Sequence, residues 1–281
     1  MYPASFEYHR AASVKDALAM LERYGDDAKI IAGGHSLLPM MKLRLTSPAH
    51  LIDVRRIAGL SGIRESGGNL AIGATTTHSE VAASSLVQSK LPLLAEAAGG
   101  IGDPLVRNMG TIGGSLAHAD PNADYPAVVL ALGATIVATS GGGSRANASD
   151  GFVTATFTTA LQPGELITEV RFPLPGAGTG GAYEKLADPA SGFATVGVAA
   201  QLGVEGGTVA WATVALTGLS DRATRLSAVE AALKGKPATP DSMRAAAKQA
   251  SVGGTAYQAN LACVYTERAL LRALARAGGP K

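Results

Sequence analysis

The chain has 281 residues, is 47% hydrophobic and only 16% charged, and carries a formal net charge of +2. That length allows two domains with sizeable buried cores, and the near-neutral balance excludes a nucleic-acid or membrane-surface binder that works by charge. A single cysteine, Cys263, leaves no disulfide, no zinc site and no iron–sulfur cluster to be built within the chain.

Taken in order, Ser13 with Asp16 forms a helix start, and Val14, Ala17, Leu18 and Leu21 follow at helical spacing. Gly25 ends that helix. Lys29–Ile31 and Leu51–Val54 read as strands, which makes a small βαβ-like N-terminal lobe. A middle lobe runs from Arg55 to Pro175, with a strand at Leu70–Ile72, a helix entered at Thr77–Ser79 and an apolar stretch at Val128–Ala138. That stretch is far too short to span a bilayer. Ser140-Gly141-Gly142-Gly143-Ser144 reads as a hairpin turn. A strand at Leu166–Phe172 leads into Pro173, Pro175 and a glycine-rich stretch through Gly181, the best domain boundary. Beyond it, Phe193–Leu202 and Val209–Leu216 alternate like paired strands about a Glu205-Gly206-Gly207 turn, and helices follow at Ser227–Leu233, Asp241–Ala250 and Tyr257–Ala277. Cys263 in the last helix reads as a buried structural thiol. Trp211 reads as core or interface and Arg56 as a surface charge.

Two segments carry the chemistry. The first is Ile31-Ala32-Gly33-Gly34-His35-Ser36-Leu37-Leu38-Pro39. Glycines let a backbone approach a ligand closely, and successive bare N–H groups form a concavity that binds phosphate. His35 and Ser36 add side-chain donors. The segment is neither G-x-G-x-x-G nor a P-loop, and Pro39 argues against a helix opening there. The second is the stretch Asp103–Asp124, which contains Arg107-Asn108-Met109-Gly110-Thr111-Ile112-Gly113-Gly114-Ser115 and reads as a long, functional loop. Arg107 invites a phosphate-binding reading or, from its place inside the motif, braces the loop through backbone carbonyls.

Ala-Gly-Gly-His-Ser, Arg-Asn-x-Gly-Thr-Ile-Gly-Gly and Asp-Pro-x-x-Asp together resemble the FAD-binding medium subunits of molybdenum hydroxylases, nearest the aerobic carbon monoxide dehydrogenase type, over essentially the whole chain. The resemblance implies an α+β chain with a PCMH-type FAD-binding fold. Its two lobes would be a small N-terminal βαβ lobe at 1–55 and a middle α/β lobe at 56–176, followed by a C-terminal lobe at 177–281 with a small antiparallel sheet and helices. It implies FAD contacts from Ala32, Gly33, Gly34, His35, Ser36 and Leu37 in the first segment and from Thr111, Gly113, Gly114, Ser115 and His118 in the second. Asp124 matches an acidic cofactor contact, with a helix N-cap as the plainer alternative. Ile101, Gly102, Leu166 and Lys185 fall at matching ring-side or adenine-side positions. For Leu166 a core position, and for Lys185 a surface charge, stay equally open. Phe193 shields a flavin face or is an ordinary strand aromatic.

The family's enzymes imply a large chain with a molybdopterin cofactor, a small chain with two 2Fe–2S clusters, a dimer of such three-chain units, and an external electron acceptor such as a quinone. Location in the cytoplasm, at the inner face of the membrane where an acceptor holds the enzyme there, is the matching expectation; no secretory signal is read at the N-terminus. No catalytic residue toward the carbon substrate and no metal ligand is expected here. Carbon monoxide is the expected parent substrate, with an N-heterocycle or aldehyde as the alternative. A stand-alone flavin oxidoreductase of the same fold and a nucleotide-binding module without redox chemistry also stay open.

Overall fold

The computed structural model describes residues 2–278. The chain opens with β1 (Glu7–Arg10), α1 (Val14–Tyr24), β2 (Ala28–Ile31), α2 (Leu37–Lys42) and β3 (His50–Asp53). The three strands form a parallel sheet in the order β1-β3-β2. Ser13 caps α1 by accepting from the Asp16 N–H, and Gly25, at φ 53°, ends it by donating to Leu21. Ala17 of α1 packs with Ala28, Ile52 and Val54.

Two elements here depart from the sequence reading. Strand β1, Glu7-Tyr8-His9-Arg10, has no apolar alternation to announce it; pairing with β3 alone makes it a strand. Helix α2 opens at Leu37 despite Pro39. The proline stands at the third helical position, in the first turn, where its missing N–H would have had no intrahelical partner.

The middle lobe comprises β4 (Ile63–Ser66), β5 (Asn69–Gly73), α3 (His78–Ala83), α4 (Ser85–Lys90), α5 (Pro92–Gly99), α6 (Pro104–Arg107), α7 (Ile112–His118), α8 (Asp124–Ala131), β6 (Thr135–Ser140), β7 (Gly143–Ala148), β8 (Val153–Ala155), β9 (Thr158–Thr159) and β10 (Leu166–Pro173). Five of its strands form an antiparallel sheet in the order β4-β5-β10-β6-β7. The stretch Asp103–Asp124 is not an irregular loop. Asp103 caps α6 by accepting from Val106 N–H, and Thr111 caps α7 by accepting from Gly114 N–H. These helices are only 4 and 7 residues long, too short for a hydrophobic period to show in the sequence. The apolar stretch Val128–Ala138 divides into the end of α8 and the start of β6, with Gly133 at φ 60° between them.

The C-terminal part comprises β11 (Thr179–Ala187), β12 (Ala194–Glu205), β13 (Thr208–Thr217), β14 (Thr224–Arg225), α9 (Ser227–Leu233), α10 (Pro240–Ala247) and α11 (Ala256–Arg276). Its strands form an antiparallel sheet in sequence order. Gly206 and Gly207, at φ 55° and 75°, make the turn between β12 and β13, a conformation that suits glycine and matches hairpin twist. Phe193 lies just before β12 rather than in it. The Trp211 ring lies against Gly203, and the residue is 39% exposed. Cys263 is half-buried, not enclosed, with Sγ 3.6 Å from the Ala250 carbonyl oxygen.

One face of this sheet packs on α9, α10 and α11 through Val198, Leu216, Val229, Met243 and Leu270. The other face presents Tyr183, Ala199 and Ala215 to the core of the middle lobe, against Tyr125, Ala127 and Val128 of α8. All eight residues of α8 are buried. Glu96 of α5 ties the two parts further, accepting from Arg272, Arg276 and the Tyr183 N–H.

Gly180 of β11 sets how closely α11 lies on the sheet. A Cβ there would stand 2.0 Å from the Ala273 carbonyl oxygen and 2.4 Å from the Ala277 nitrogen. Gly180→Ala is expected to destabilise the fold by ~1–3 kcal/mol, read as a lowered urea midpoint. Gly176→Ala, where the added carbon meets nothing within 4 Å, is expected to leave the midpoint in place. Equal midpoints for the two variants would contradict this packing.

Candidate functional site

The two motif segments meet backbone to backbone. A Cβ on Gly33 would stand 2.2 Å from the Met109 carbonyl oxygen and 2.7 Å from Gly110 Cα. Gly110 in turn lies against the His78 ring, and Gly113 against the backbone and Cβ of Ala74. These glycines are therefore needed first for the chain to pack on itself. Gly34 has φ +76°, a conformation that glycine adopts without strain.

The hydrogen-bond accounting separates the segments. The N–H groups of Gly33, Gly34, His35, Ser36 and Leu37 donate to no acceptor among the described residues. They lead directly into the N-terminus of α2, where the helix dipole adds positive potential. The second segment is already committed: Ile112 donates to Thr76 (3.1 Å), Gly113 to Ala74 (2.9 Å), Ser115 to the Thr111 carbonyl (3.0 Å) and Gly114 to Thr111 Oγ1 (3.1 Å). It has the half-buried Ser115 hydroxyl to offer, Thr111 being buried and used as the cap, rather than the N–H groups of its glycines. Arg107 braces this segment as expected, donating from Nη1 to the carbonyls of Ile101 (3.0 Å) and Gly102 (3.1 Å).

Beneath both segments lies His78, 4% exposed. Its N–H donates to the Gly110 carbonyl, and its Nδ1 is 3.3 Å from the Tyr125 hydroxyl. Burial, reinforced by His35 and Arg107, pushes its pKa down to about 4. Sequence reading marked a helix start here and passed over the histidine. The capping box of Thr77 with Glu80 is visible in sequence, but the depth of the ring beneath two distant loops is not. His35 is exposed, with Nδ1 3.1 Å from its own segment's Gly33 carbonyl.

Asp124 is the second focus. It is the first residue of α8 and not its cap, which is Ala123. Its carboxylate accepts from Tyr183 Oη at 2.6 Å and Lys185 Nζ at 2.9 Å. The Asp124 and Lys185 side chains are 3% and 9% exposed, so Lys185 is not the surface charge left open by the sequence. Lys185 also donates to the Gly100 carbonyl at 2.9 Å. Burial pushes the Asp124 carboxyl up, and the Lys185 ammonium and the Tyr183 hydroxyl oppose that push. Burial and the Asp124 charge raise Tyr183 well above the usual phenol range.

Ile101 and Gly102 adjoin this pair. A Cβ on Gly192 would stand 3.0 Å from Gly102 Cα, so the turn before Phe193 sits directly on Gly102. Asp188 Oδ1 shapes that turn by accepting from the Ala190 and Ser191 N–H groups at 3.1 and 2.8 Å. Phe193 is 41% exposed and borders a cleft of about 490 Å³ with Asn122, Tyr257 and Leu261. The structure thus gathers Ala32–Leu37 with Gly110–Ser115, and Ile101, Gly102, Asp124, Lys185 and Phe193, with Arg107 linking the two groups. His118 is placed elsewhere, with its ring 5.0 Å from that of Phe157 and its Nε2 4.0 Å from Asp120. Leu166 packs in the N-terminal core with Ile57 and Leu60.

Because His78 is held neutral, an unfolded chain binds its proton more readily than the folded one. The stability this confers is complete above the ordinary histidine pKa of 6.5 and is lost as pH falls from there to about 4. His78→Gln is expected to remove a pH-dependent contribution of up to ~3 kcal/mol, seen as a shallower fall of Tm between pH 7 and pH 4.5. An unchanged slope would show that the ring titrates freely. Separately, Asp124→Ala strands a buried ammonium and is expected to cost ~3–5 kcal/mol. Adding Lys185→Met should recover much of that loss in chemical denaturation.

Comparison with known proteins gives the same two parts. A family model described as the FAD binding domain in molybdopterin dehydrogenase matches residues 4–175, and one for the CO dehydrogenase flavoprotein C-terminal domain matches residues 181–273. The carbon monoxide dehydrogenase medium chain of Hydrogenophaga pseudoflava is 44% identical, covering 98% of this chain and 99% of that one. A subunit of the 6-hydroxypseudooxynicotine dehydrogenase complex of Paenarthrobacter nicotinovorans is 39% identical over 99% of this chain and 97% of its own length. Among solved structures, a carbon monoxide dehydrogenase from Hydrogenophaga pseudoflava matches with a TM-score of 0.94 at 46% identity, covering 98% of this chain and 99% of that chain. Quinoline 2-oxidoreductase from Pseudomonas putida 86 matches at 0.91 and 32% identity, covering 99% of each chain. With both family models matched and near-complete coverage of these relatives, the chain belongs to the FAD-binding family of the molybdopterin dehydrogenases, in its CO dehydrogenase flavoprotein form.

Proposed function

We propose that this chain is the FAD-carrying electron-transfer subunit of a heteromeric molybdenum hydroxylase. It takes electrons from 2Fe–2S clusters on a small subunit and passes them to an external acceptor such as a quinone. A large molybdopterin-bearing subunit oxidises the substrate, and the whole is a dimer of three-chain units. Residues 1–176 form the flavin domain and 177–281 the C-terminal domain. No helix among the described residues is long and apolar enough to cross a membrane.

The observation that carries this reading is the run of unpartnered N–H groups from Gly33 to Leu37 at the start of α2. Such a run fits a pyrophosphate, whose negative charges need several converging donors. FAD, when bound, supplies a centre that exchanges electrons one or two at a time, while the protein supplies orientation and electrostatics. Ala32, Gly33, Gly34, His35, Ser36 and Leu37 hold the pyrophosphate. Ser115 would add a hydroxyl donor, with Thr111 capping the helix behind it and Gly113 and Gly114 keeping the segment close, while His118 lies outside the cradle against Phe157. Asp124 would fix the Lys185 ammonium, and Ile101, Gly102 and Phe193 would complete the walls, with Leu166 supporting them from the N-terminal core. No side chain here acts as acid or base toward the carbon substrate.

Carbon monoxide oxidised to carbon dioxide is the parent reaction favoured by the 44% identity to a carbon monoxide dehydrogenase medium chain. The 39% identity to the hydroxypseudooxynicotine enzyme favours, as a second reading, a parent that oxidises an N-heterocycle or related compound. The substrate pocket of either would lie on the large chain.

Purified chain is expected to release FAD on acid precipitation, in about equimolar amount. Gly34→Val, at φ +76° with Leu38 and Ile31 side-chain atoms 3.1 and 3.3 Å from the added carbon, is expected to lower flavin retention ~10-fold or more without unfolding the chain by circular dichroism. A wild-type chain and complex that release no flavin would sink the proposal. Flavin bleaching of the complex by carbon monoxide, but not by quinoline, would select the first parent reaction.

A further inference from the structure

The N-terminal sheet carries a side-chain cluster that the flavin function does not use. Glu7 and His9 are two residues apart on edge strand β1, so both point to one face. His50 of β3 pairs directly with Glu7 in the register of the sheet. His9 Nε2 and His50 Nδ1 are 3.0 Å apart. Glu7 Oε2 is 3.7 Å from His9 Nε2 and 3.5 Å from His50 Nδ1. Tyr24, at the end of α1, stacks on both rings, with centroids 3.9 Å from His50 and 4.9 Å from His9.

We propose that Glu7, His9 and His50 form a binding site for a divalent late first-row transition cation such as Zn²⁺. Three ligand atoms at tetrahedral corners about a Zn²⁺ ion lie about 3.3–3.5 Å from one another, given metal–ligand bonds of about 2.0–2.1 Å. The three observed separations, 3.0, 3.5 and 3.7 Å, bracket that edge. Two imidazoles and one carboxylate are a borderline donor set that suits Zn²⁺ and its neighbours and not Mg²⁺ or Ca²⁺. The two imidazole side chains are about four-fifths buried, at 20% and 19% exposure, whereas Glu7 is 72% exposed. A cation would therefore sit at a preformed pair of rings with its fourth position open to solvent.

Stacking on Tyr24 restricts both rings before any ion arrives, which lowers the ordering cost of binding. Because the ligands come from two strands, the cation would also clamp the edge strand β1 to β3. The cysteine count, which pointed to no zinc site, tests only thiolate sites and is blind to this one.

The full-length chain, treated with chelator and dialysed, would be titrated with Zn²⁺ alone by calorimetry, and its Tm followed with and without Zn²⁺. A single Zn²⁺ per chain is expected, with a Tm that rises as Zn²⁺ is added. Glu7→Gln, His9→Asn and His50→Asn should each weaken binding by at least the ~10- to 100-fold that loss of an outer-shell partner costs a metal site. Exposed Glu7 carries no core packing, so Glu7→Gln keeps the test valid if a histidine variant misfolds. Urea midpoints and flavin content measured in chelator should match wild type for the folded variants. Absence of stoichiometric uptake, or an affinity that Glu7→Gln leaves unchanged, would overturn the assignment.

Discussion

The structure depends on α8, a helix with no solvent face. A helix buried all round must satisfy its first N–H groups and any charge near them without water. Asp124 stands at that point, and its charge is balanced by Lys185 and Tyr183 of β11. The pair is costly to bury and is retained only because both partners and their hydrogen bonds are in place. Its consequence is positional. It pins the C-terminal sheet to the start of α8, and the next residue, Tyr125, reaches the His78 ring under the two motif segments. Residues of the middle lobe and of the C-terminal sheet are thereby held in one register.

A division of labour follows among residues that look alike in sequence. Gly33, Gly110 and Gly113 are small because backbone or a ring occupies the space a side chain would take. The first segment keeps its N–H groups open, while the second spends its own on strand-end carbonyls and on a helix cap. The open N–H groups are therefore lopsided in their distribution. They lie in the run from Gly33 to Leu37, and the Thr-Ile-Gly-Gly segment is the wall against which that run is built. Arg107, with its fixed fork on the Ile101 and Gly102 carbonyls, carries the wall's position through to the Lys185 side of the site.

Much of this was legible beforehand where the signal is local. The Ser13 cap, the Gly25 stop, the Gly206-Gly207 turn and the Ser227–Leu233 helix are written in neighbouring residues, and the structure places them as read. Arg107 was legible in part: its fixed fork suits phosphate or backbone carbonyls alike, and the structure puts it on the carbonyls of Ile101 and Gly102. What escaped lacked a local signal. Strand β1 has no apolar period, α6 and α7 are too brief to show one, and Pro39 argued against a helix whose first turn tolerates it.

The sequence by itself determined the two glycine segments, the motifs on which the family resemblance rests and the mixed α and β order of elements, because these are written in residue type and near-neighbour spacing. Only the tertiary structure decided which N–H groups remain free, that Lys185 is a buried partner of Asp124 and not a surface charge, and that His78 lies beneath both segments. It alone also brought Glu7 and His9 to His50. Each of these is a contact between residues far apart in the chain. Burial and partnership are properties of packed surroundings, which residue identity constrains but does not specify.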